Sequence, residues 1–488
     1  MNKVLILGIA ALGLAGCTLG PDYVRPSVDV PSAFKEAQGW KTAQPRDAEP
    51  RGSWWSMYGD PQLDALIGQV DISNQNLAQA EARFRQARAL VDAARAGFFP
   101  SVTATLGSTR SRSSATTIAQ PSAAPISRGV VTGHTLRSDA TWEPDLWGSV
   151  RRTVEADVAS AQASIGDLES ARLSAQATLA QDYFQLRSLD AQRQLLEETI
   201  ATYQRALKLT QNQYQVGVVA KADVVQATAQ LKSTQAQAID LGVQRAQLEH
   251  AIAVLIGKPP AQLSIAPQVT ALAPPAVPLE LPSQLLERRP DVAAAERRVA
   301  AANAQIGVAK AAIFPALTLS ASGGFQSATL AQWATVPSRF WSIGPSIAMP
   351  LFDAGLRRAQ TEQAIAAYDA SVGAYRQSVL AAFQDVEDQL AALRILDEEA
   401  AVQAEAMQAS LQSLDLLLNQ YKAGLINYLQ VVVAQTTALA SQRSAADIAN
   451  RRMVASVLLV KALGGGWNAA EVSGYEAMKT RASVRPAP

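Results

Sequence analysis

The chain is two similar halves laid end to end. Tyr214-Gln215-Val216-Gly217 returns 207 residues later as Tyr421-Lys422-Ala423-Gly424, and Leu186-Arg187-Ser188-Leu189-Asp190 returns as Leu393-Arg394-Ile395-Leu396-Asp397. The offset holds from Gly148, which meets Gly355, to Ile256-Gly257, which meets Leu463-Gly464. Before Gly148 it is 215, so that Phe99-Pro100 meets Phe314-Pro315 and Glu81 meets Glu296. The eight extra residues fall between Pro100 and Gly148 and lengthen a loop of the first half. A repeat of this length is one fold unit used twice.

Each half reads as helix, two strands, very long helix, turn, helix. The first repeat spans 61–257: a helix over 61–97, strands near 101–110 and 134–143, a long helix over 149–214, a turn at 216–220 and a helix over 220–256. Asp60-Pro61 is an N-cap with proline at the first helical position, and Gly257 with Pro259-Pro260 ends the unit. The second repeat spans 283–464: a helix over 290–313, strands near 316–325 and 341–350, a long helix over 355–421, a turn at 423–427 and a helix over 427–463. Residues 258–282 link the repeats, and 465–488 form a tail. Val154, Val158, Ala161, Ile165 and Leu168 follow the 4, 3, 4, 3 spacing of a coiled-coil seam. At 1.5 Å per residue, 149–214 makes a helix of about 100 Å, and 61–97 and 220–256 make about 55 Å each. Two short helices end to end therefore match one long one.

In the strand segments the period changes to 2. Val102, Ala104 and Leu106 alternate with Thr103 and Thr105; Leu136, Ala140 and Trp142 alternate with Arg137, Asp139 and Thr141. Leu317, Leu319 and Ala321 alternate with Thr318, Ser320 and Ser322; Trp341, Ile343, Ile347 and Met349 alternate with Ser342, Gly344 and Ser346. One apolar face and one small polar face suit strands with lipid outside and water inside. A soluble sheet gives the same alternation, but the rest of the chain is long helix and offers no layer to cover it. Four strands are too few to close a barrel. An open edge cannot face lipid, because its amides and carbonyls would go unpaired. The chain must pool strands with copies of itself.

The first residues give an address. Lys3 and the short apolar run Val4–Leu14 read as a signal peptide over 1–16. The run ends in Leu14-Ala15-Gly16-Cys17, a lipobox, so Cys17 is expected to carry S-diacylglycerol and N-palmitoyl chains, which anchor the protein stably. Thr18, where inner-membrane lipoproteins carry Asp, favours the outer membrane, and 17–60 is then a lipidated extended segment. Cys17 is the single cysteine, which leaves no disulfide framework. His134 and His250 are the two histidines, too few for a histidine-based metal or catalytic site. A net charge of +1 gives no push toward nucleic acid.

The chain resembles the TolC family of outer-membrane efflux factors, in its lipoprotein branch. The resemblance is carried by Cys17-Thr18-Leu19-Gly20-Pro21-Asp22-Tyr23, Trp54-Trp55, Trp142-Glu143-Pro144-Asp145-Leu146-Trp147-Gly148, Arg289-Pro290-Asp291 with Glu296, and Pro350-Leu351-Phe352-Asp353-Ala354-Gly355. It implies a mixed α and β membrane protein: four transmembrane strands per chain complete a 12-stranded β-barrel in a homotrimer, on a long α-helical coiled-coil barrel. The helical part would lie in the periplasm of a Gram-negative bacterium. It implies docking onto a periplasmic adaptor (membrane fusion) protein and an inner-membrane pump of the resistance-nodulation-division type.

The resemblance also implies a periplasmic tip held shut until the pump engages it. Asp223 and Tyr421 correspond to an Asp–Tyr hydrogen bond at that closed end; the other reading is a capping aspartate just after the turn and a buried tyrosine. Ala222 and Ile426 stand where some members have a threonine–arginine link, and Gln430 and Val433 where some have inward aspartates. Asp415 is then a candidate for a ring of three lumen-facing carboxylates, or else a solvated outer-face residue. Val216, Gly217, Val218 and Val219, with Ala423, Gly424 and Leu425, would be adaptor-contact tips, small and apolar. The expected function is a passive exit duct for drugs or other small toxic solutes. A tethered coiled-coil scaffold and a protein-secretion duct are the alternatives. The sequence holds no nucleophile–base constellation or phosphate loop, so it is not read as an enzyme.

Overall fold

The computed structural model describes residues 18–36, 53–112, 130–270, 273–275 and 289–465. The signal segment 1–16, Cys17 and the tail beyond 465 lie outside the described residues, as does most of the loop after β1. Seven α-helices and four strands occur among them: α1 (Pro61–Ser73), α2 (Gln75–Ala96), β1 (Ser101–Ser111), β2 (Val131–Trp142), α3 (Ser149–Gln215), α4 (Lys221–Leu255), α5 (Pro290–Ala311), β3 (Ala316–Ser327), β4 (Arg339–Ala348), α6 (Leu356–Lys422) and α7 (Tyr428–Ala462). None of the described helices is long and apolar enough to cross a membrane.

The single helix expected over 61–97 is in fact two. Asn74 leaves the helix with φ −67° and ψ 122°. Its Oδ1 accepts from the N–H groups of Asn76 at 2.9 Å and Leu77 at 3.1 Å, which caps α2, while its Nδ2 donates to Leu255 O at 2.7 Å. The side chain thus trades a continuous helix for a cap and a bond to the end of α4. Gly257 packs against the same break: a Cβ there would lie 2.0 Å from Ser73 O, and its φ is +68°. Only glycine fits that approach. Helix α5 stops at Ala311 rather than 313, because Ile313 and Phe314 bond back three residues to Lys310 and Ala311 in a tightened last turn.

The chain divides into two compact units. One takes in residues up to Pro26 with Arg85–Gln162 and Glu296–Gly373. It holds one antiparallel sheet in the order β1-β2-β3-β4, paired without a bulge from Ser101↔Thr141 to Phe325↔Arg339. At its base Trp147 stacks on Phe314 at 4.9 Å and donates to Pro315 O at 2.7 Å. Asp145 caps α3, accepting from Val150 N at 2.9 Å and Arg151 N at 3.0 Å. The segment that begins at Thr18 is strapped to this unit. Arg152 Nε donates to Leu19 O at 3.1 Å, Asn303 Nδ2 donates to Pro21 O at 3.0 Å, and the Tyr23 hydroxyl donates to Glu296.

The other unit takes in Ser27–Phe84, Ala163–Ala295 and the chain from Ala374. Here helices pack on helices through Leu189, Leu196, Leu241 and Leu439. A buried ionic hub crosses it: Asp190 accepts from Arg187 Nη1 at 3.0 Å, Arg245 Nε at 2.7 Å and Gln268 N at 3.1 Å. A second clamp joins Arg289 to Asp291 at 2.7 Å and to Asp385 at 2.9 Å, around a cavity of about 130 Å³.

Candidate functional site

The sheet presents two chemically different faces. Its in-phase register places Val102, Leu106, Leu136, Ile343 and Trp341 on one side, and Thr103, Thr105, Asp139, Ser322 and Ser342 on the other. The apolar side chains are exposed, Trp341 by 75% and Ile343 by 76%. That is the pattern of a wall between lipid and water. Among the described residues β1 and β4 are edge strands, each with one unpaired row of amides and carbonyls.

The two helix turns are built alike. Gly217 (φ +79°) and Gly424 (φ +74°) follow the ends of α3 and α6 in left-handed conformation. Val218 N donates to Gln213 O at 2.9 Å and Gly217 N to Tyr214 O at 3.0 Å. In the second half Leu425 N donates to Gln420 O at 3.0 Å and Gly424 N to Tyr421 O at 2.9 Å. Both are Schellman motifs, which close the helix with backbone alone and leave the side chains outward. Val216, Val218 and Leu425 are accordingly exposed, Leu425 by 74%.

Just beyond the turns the helices are clasped by aromatic packing. Ala227, Tyr421, Tyr428 and Val431 form a buried cluster, with Leu207, Leu418 and Ile426 against it. The Tyr421 and Tyr428 rings lie 5.3 Å apart. Ile426, where the resemblance allowed a polar link, is thus part of an apolar clasp. The expected Asp223–Tyr421 hydrogen bond is not formed. The Tyr421 hydroxyl lies 3.0 Å from Thr210 Oγ1, and the Asp223 carboxylate accepts from Ala220 N at 3.2 Å, capping α4. The reason is local: at the third helical position a carboxylate finds an orphan amide and the positive helix end in its own turn. Burial pushes the Tyr421 hydroxyl above its ordinary pKa, the bond to Thr210 opposes that, and the Asp223 charge adds to it. Tyr428 is pushed up to about 12 by burial and by Tyr421 and Tyr203. Both hydroxyls stay protonated at neutral pH. Asp415 is exposed and accepts from Asn419 Nδ2 at 3.4 Å. Ala222, Gln430 and Val433 are exposed as well. Thr210 went unnoticed in the sequence because its partner is 211 residues away and nothing local marks it.

Among the described residues no group of His, Cys, Asp and Glu could hold a metal. The sequence profile described as "Outer membrane efflux protein" matches residues 66–258 and again 281–465. The chain belongs to that family. Pyoverdine export outer membrane protein OpmQ of Pseudomonas aeruginosa is 31% identical to it over 467 residues, covering 96% of this chain and 97% of the relative. Probable outer membrane lipoprotein SilC of Salmonella typhimurium is 29% identical over 476 residues, covering 96% of this chain and 100% of the relative. The solved structure of the outer-membrane channel OprN matches with a TM-score of 0.85 at 30% identity, covering 92% of this chain and 100% of that one. The TolC-type resemblance read from the sequence therefore holds. This outer membrane efflux protein is a channel component of the tripartite-pump class and not an enzyme.

Proposed function

We propose that three copies of this outer membrane efflux protein pool their strands into a twelve-stranded barrel and act as the exit duct of a tripartite pump. The observation that carries this is the four-stranded sheet with one apolar face, whose two edges lack partners among the described residues. Such edges cannot stay open in lipid. The duct passively conducts drugs or other small toxic solutes received from a periplasmic adaptor and an inner-membrane pump of the resistance-nodulation-division type. The adaptor docks on the helix turns, where Val216, Val218 and Leu425 offer exposed apolar side chains on rigid backbone.

The resting duct is closed by an iris at those tips. The clasp of Tyr421 on Thr210 and Tyr428 holds each protomer's helix pairs together there, and Asp223 serves by capping α4. Asp415 adds a carboxylate ring on the way in. Cys17 bears the lipid in the outer membrane, and the strapping of Thr18 to Tyr23 beside the sheet suits an anchor next to the barrel. Light scattering of the detergent-solubilised protein tests the assembly: a three-chain mass is expected, and a one-chain mass removes the reading.

A further inference from the structure

Charge is distributed very unevenly over the sheet. On its polar face the described strands carry Ser, Thr, Gly and Gln almost throughout, with two charged residues, Arg137 and Asp139, near the middle of β2. The other charged strand residues, Arg110 and Arg339, fall on the opposite face by the same register. Arg137 Nε donates to Asp139 Oδ2 at 2.6 Å, two residues apart on one strand. The pair is not symmetric toward solvent: the arginine side chain is 53% exposed and the aspartate 20%.

The neighbours explain the asymmetry. Arg137 stands between Thr105 and Gly324, and Asp139 between Thr103 and Ser322. On the β3 side the partner position admits no side chain, since a Cβ on Gly324 would lie 2.0 Å from Leu136 O. The guanidinium is therefore the more exposed member of the pair, flanked by the short Thr105 and Gly324, with Phe340 one strand further on the same face.

We propose that Arg137 is the charge-selecting residue of the duct: three Arg137 guanidiniums, each paired with its own less exposed Asp139, ring the barrel lumen and favour anionic solutes. This rests on the trimeric-barrel reading above. Rings of arginine select anions in pores, and low-dielectric walls focus the field of a few charges across a lumen. Each Arg–Asp pair is neutral in sum, but the positive group is the more exposed of the two. At an ionic strength of 0.1 M the screening length is about 10 Å, so the ring acts on solutes passing close to it.

The test is the reversal potential of the purified full-length protein in planar bilayers under a KCl gradient. The native duct should lean toward chloride. Arg137→Gln leaves Asp139 unpaired and should move the reversal potential toward potassium, whereas Asp139→Asn should move it further toward chloride. A conducting protein whose two variants reverse at the native potential overturns the ring and leaves the duct reading intact. A native protein that is monomeric and never conducts overturns the duct reading and the ring with it. A second measurement is independent of any gate at the tips. In whole cells Arg137→Cys should react with a membrane-impermeant cationic maleimide, and Leu136→Cys, on the apolar face, should not. Reaction at position 136 and protection at 137 would place the pair on the lipid side and sink the proposal.

Discussion

The Tyr421 hydroxyl lies 3.0 Å from Thr210 Oγ1, and both residues are buried. Thr210 already donates its single proton to Ala206 O at 3.0 Å, so the tyrosine is the donor between them. Tyr421→Phe therefore removes one hydrogen bond and strands nothing, at a cost of about 0.5–1.5 kcal/mol. Thr210→Val leaves the tyrosine hydroxyl buried without an acceptor, at about 1–3 kcal/mol. Urea unfolding in detergent should show the larger midpoint shift for Thr210→Val. Equal shifts would mean that the hydroxyl finds another acceptor, Asp223 first among them.

The repeat contains its own control for buried charge. Asp190 accepts from Arg187 and Arg245 with its side chain 2% exposed, whereas Asp397, its equivalent in the second half, pairs with Arg452 at 59% exposure. Asp190→Asn leaves two guanidiniums short of a buried counter-charge and should cost about 3–5 kcal/mol. Asp397→Asn should cost at most about 1 kcal/mol. The same unfolding series decides it; similar costs at the two positions would contradict the burial assigned here.

Asp182 carries a pH dependence of stability. Burial raises its pKa from 3.8 to about 6. Because the folded protein holds this proton more tightly than the unfolded chain, stability from this group is full below about 4 and is lost as pH rises through 6. Asp182→Asn should flatten that part of the profile and raise the unfolding midpoint at pH 7 relative to the native protein. An unchanged slope between pH 4 and 7 would show that the carboxylate is solvated.

Much of the architecture could be read from periodicity and punctuation. Proline after Gly257, glycine at 217 and 424 and the change of period at Val102 mark element ends by backbone chemistry that acts locally. What escaped depends on contacts distant in sequence. Asn74 sits in a stretch with ordinary helical composition, and its cap is stabilised by Leu255 O, 181 residues away. Residue identity alone could not separate Asp190 from Asp397, since the two halves place the same pair, Asp190 with Arg245 and Asp397 with Arg452, under different cover. At the tips, the family resemblance pointed to Asp223 and Tyr421, but the hydroxyl's partner is Thr210 on α3.

Lipidation can be tested directly. Cys17→Ser should abolish palmitate labelling of the protein, with the trimeric mass retained if the strands alone drive assembly. Continued labelling would rule out Cys17 as the lipid site.

The most direct measurement is the single-channel conductance of the purified native protein in planar bilayers. A gated exit duct predicts small, mostly closed currents that rise when the tip clasp is cut by Tyr421→Phe together with Thr210→Val. Protein that inserts and never conducts, in native form and with the clasp cut, would contradict the account of the sheet as part of a shared barrel.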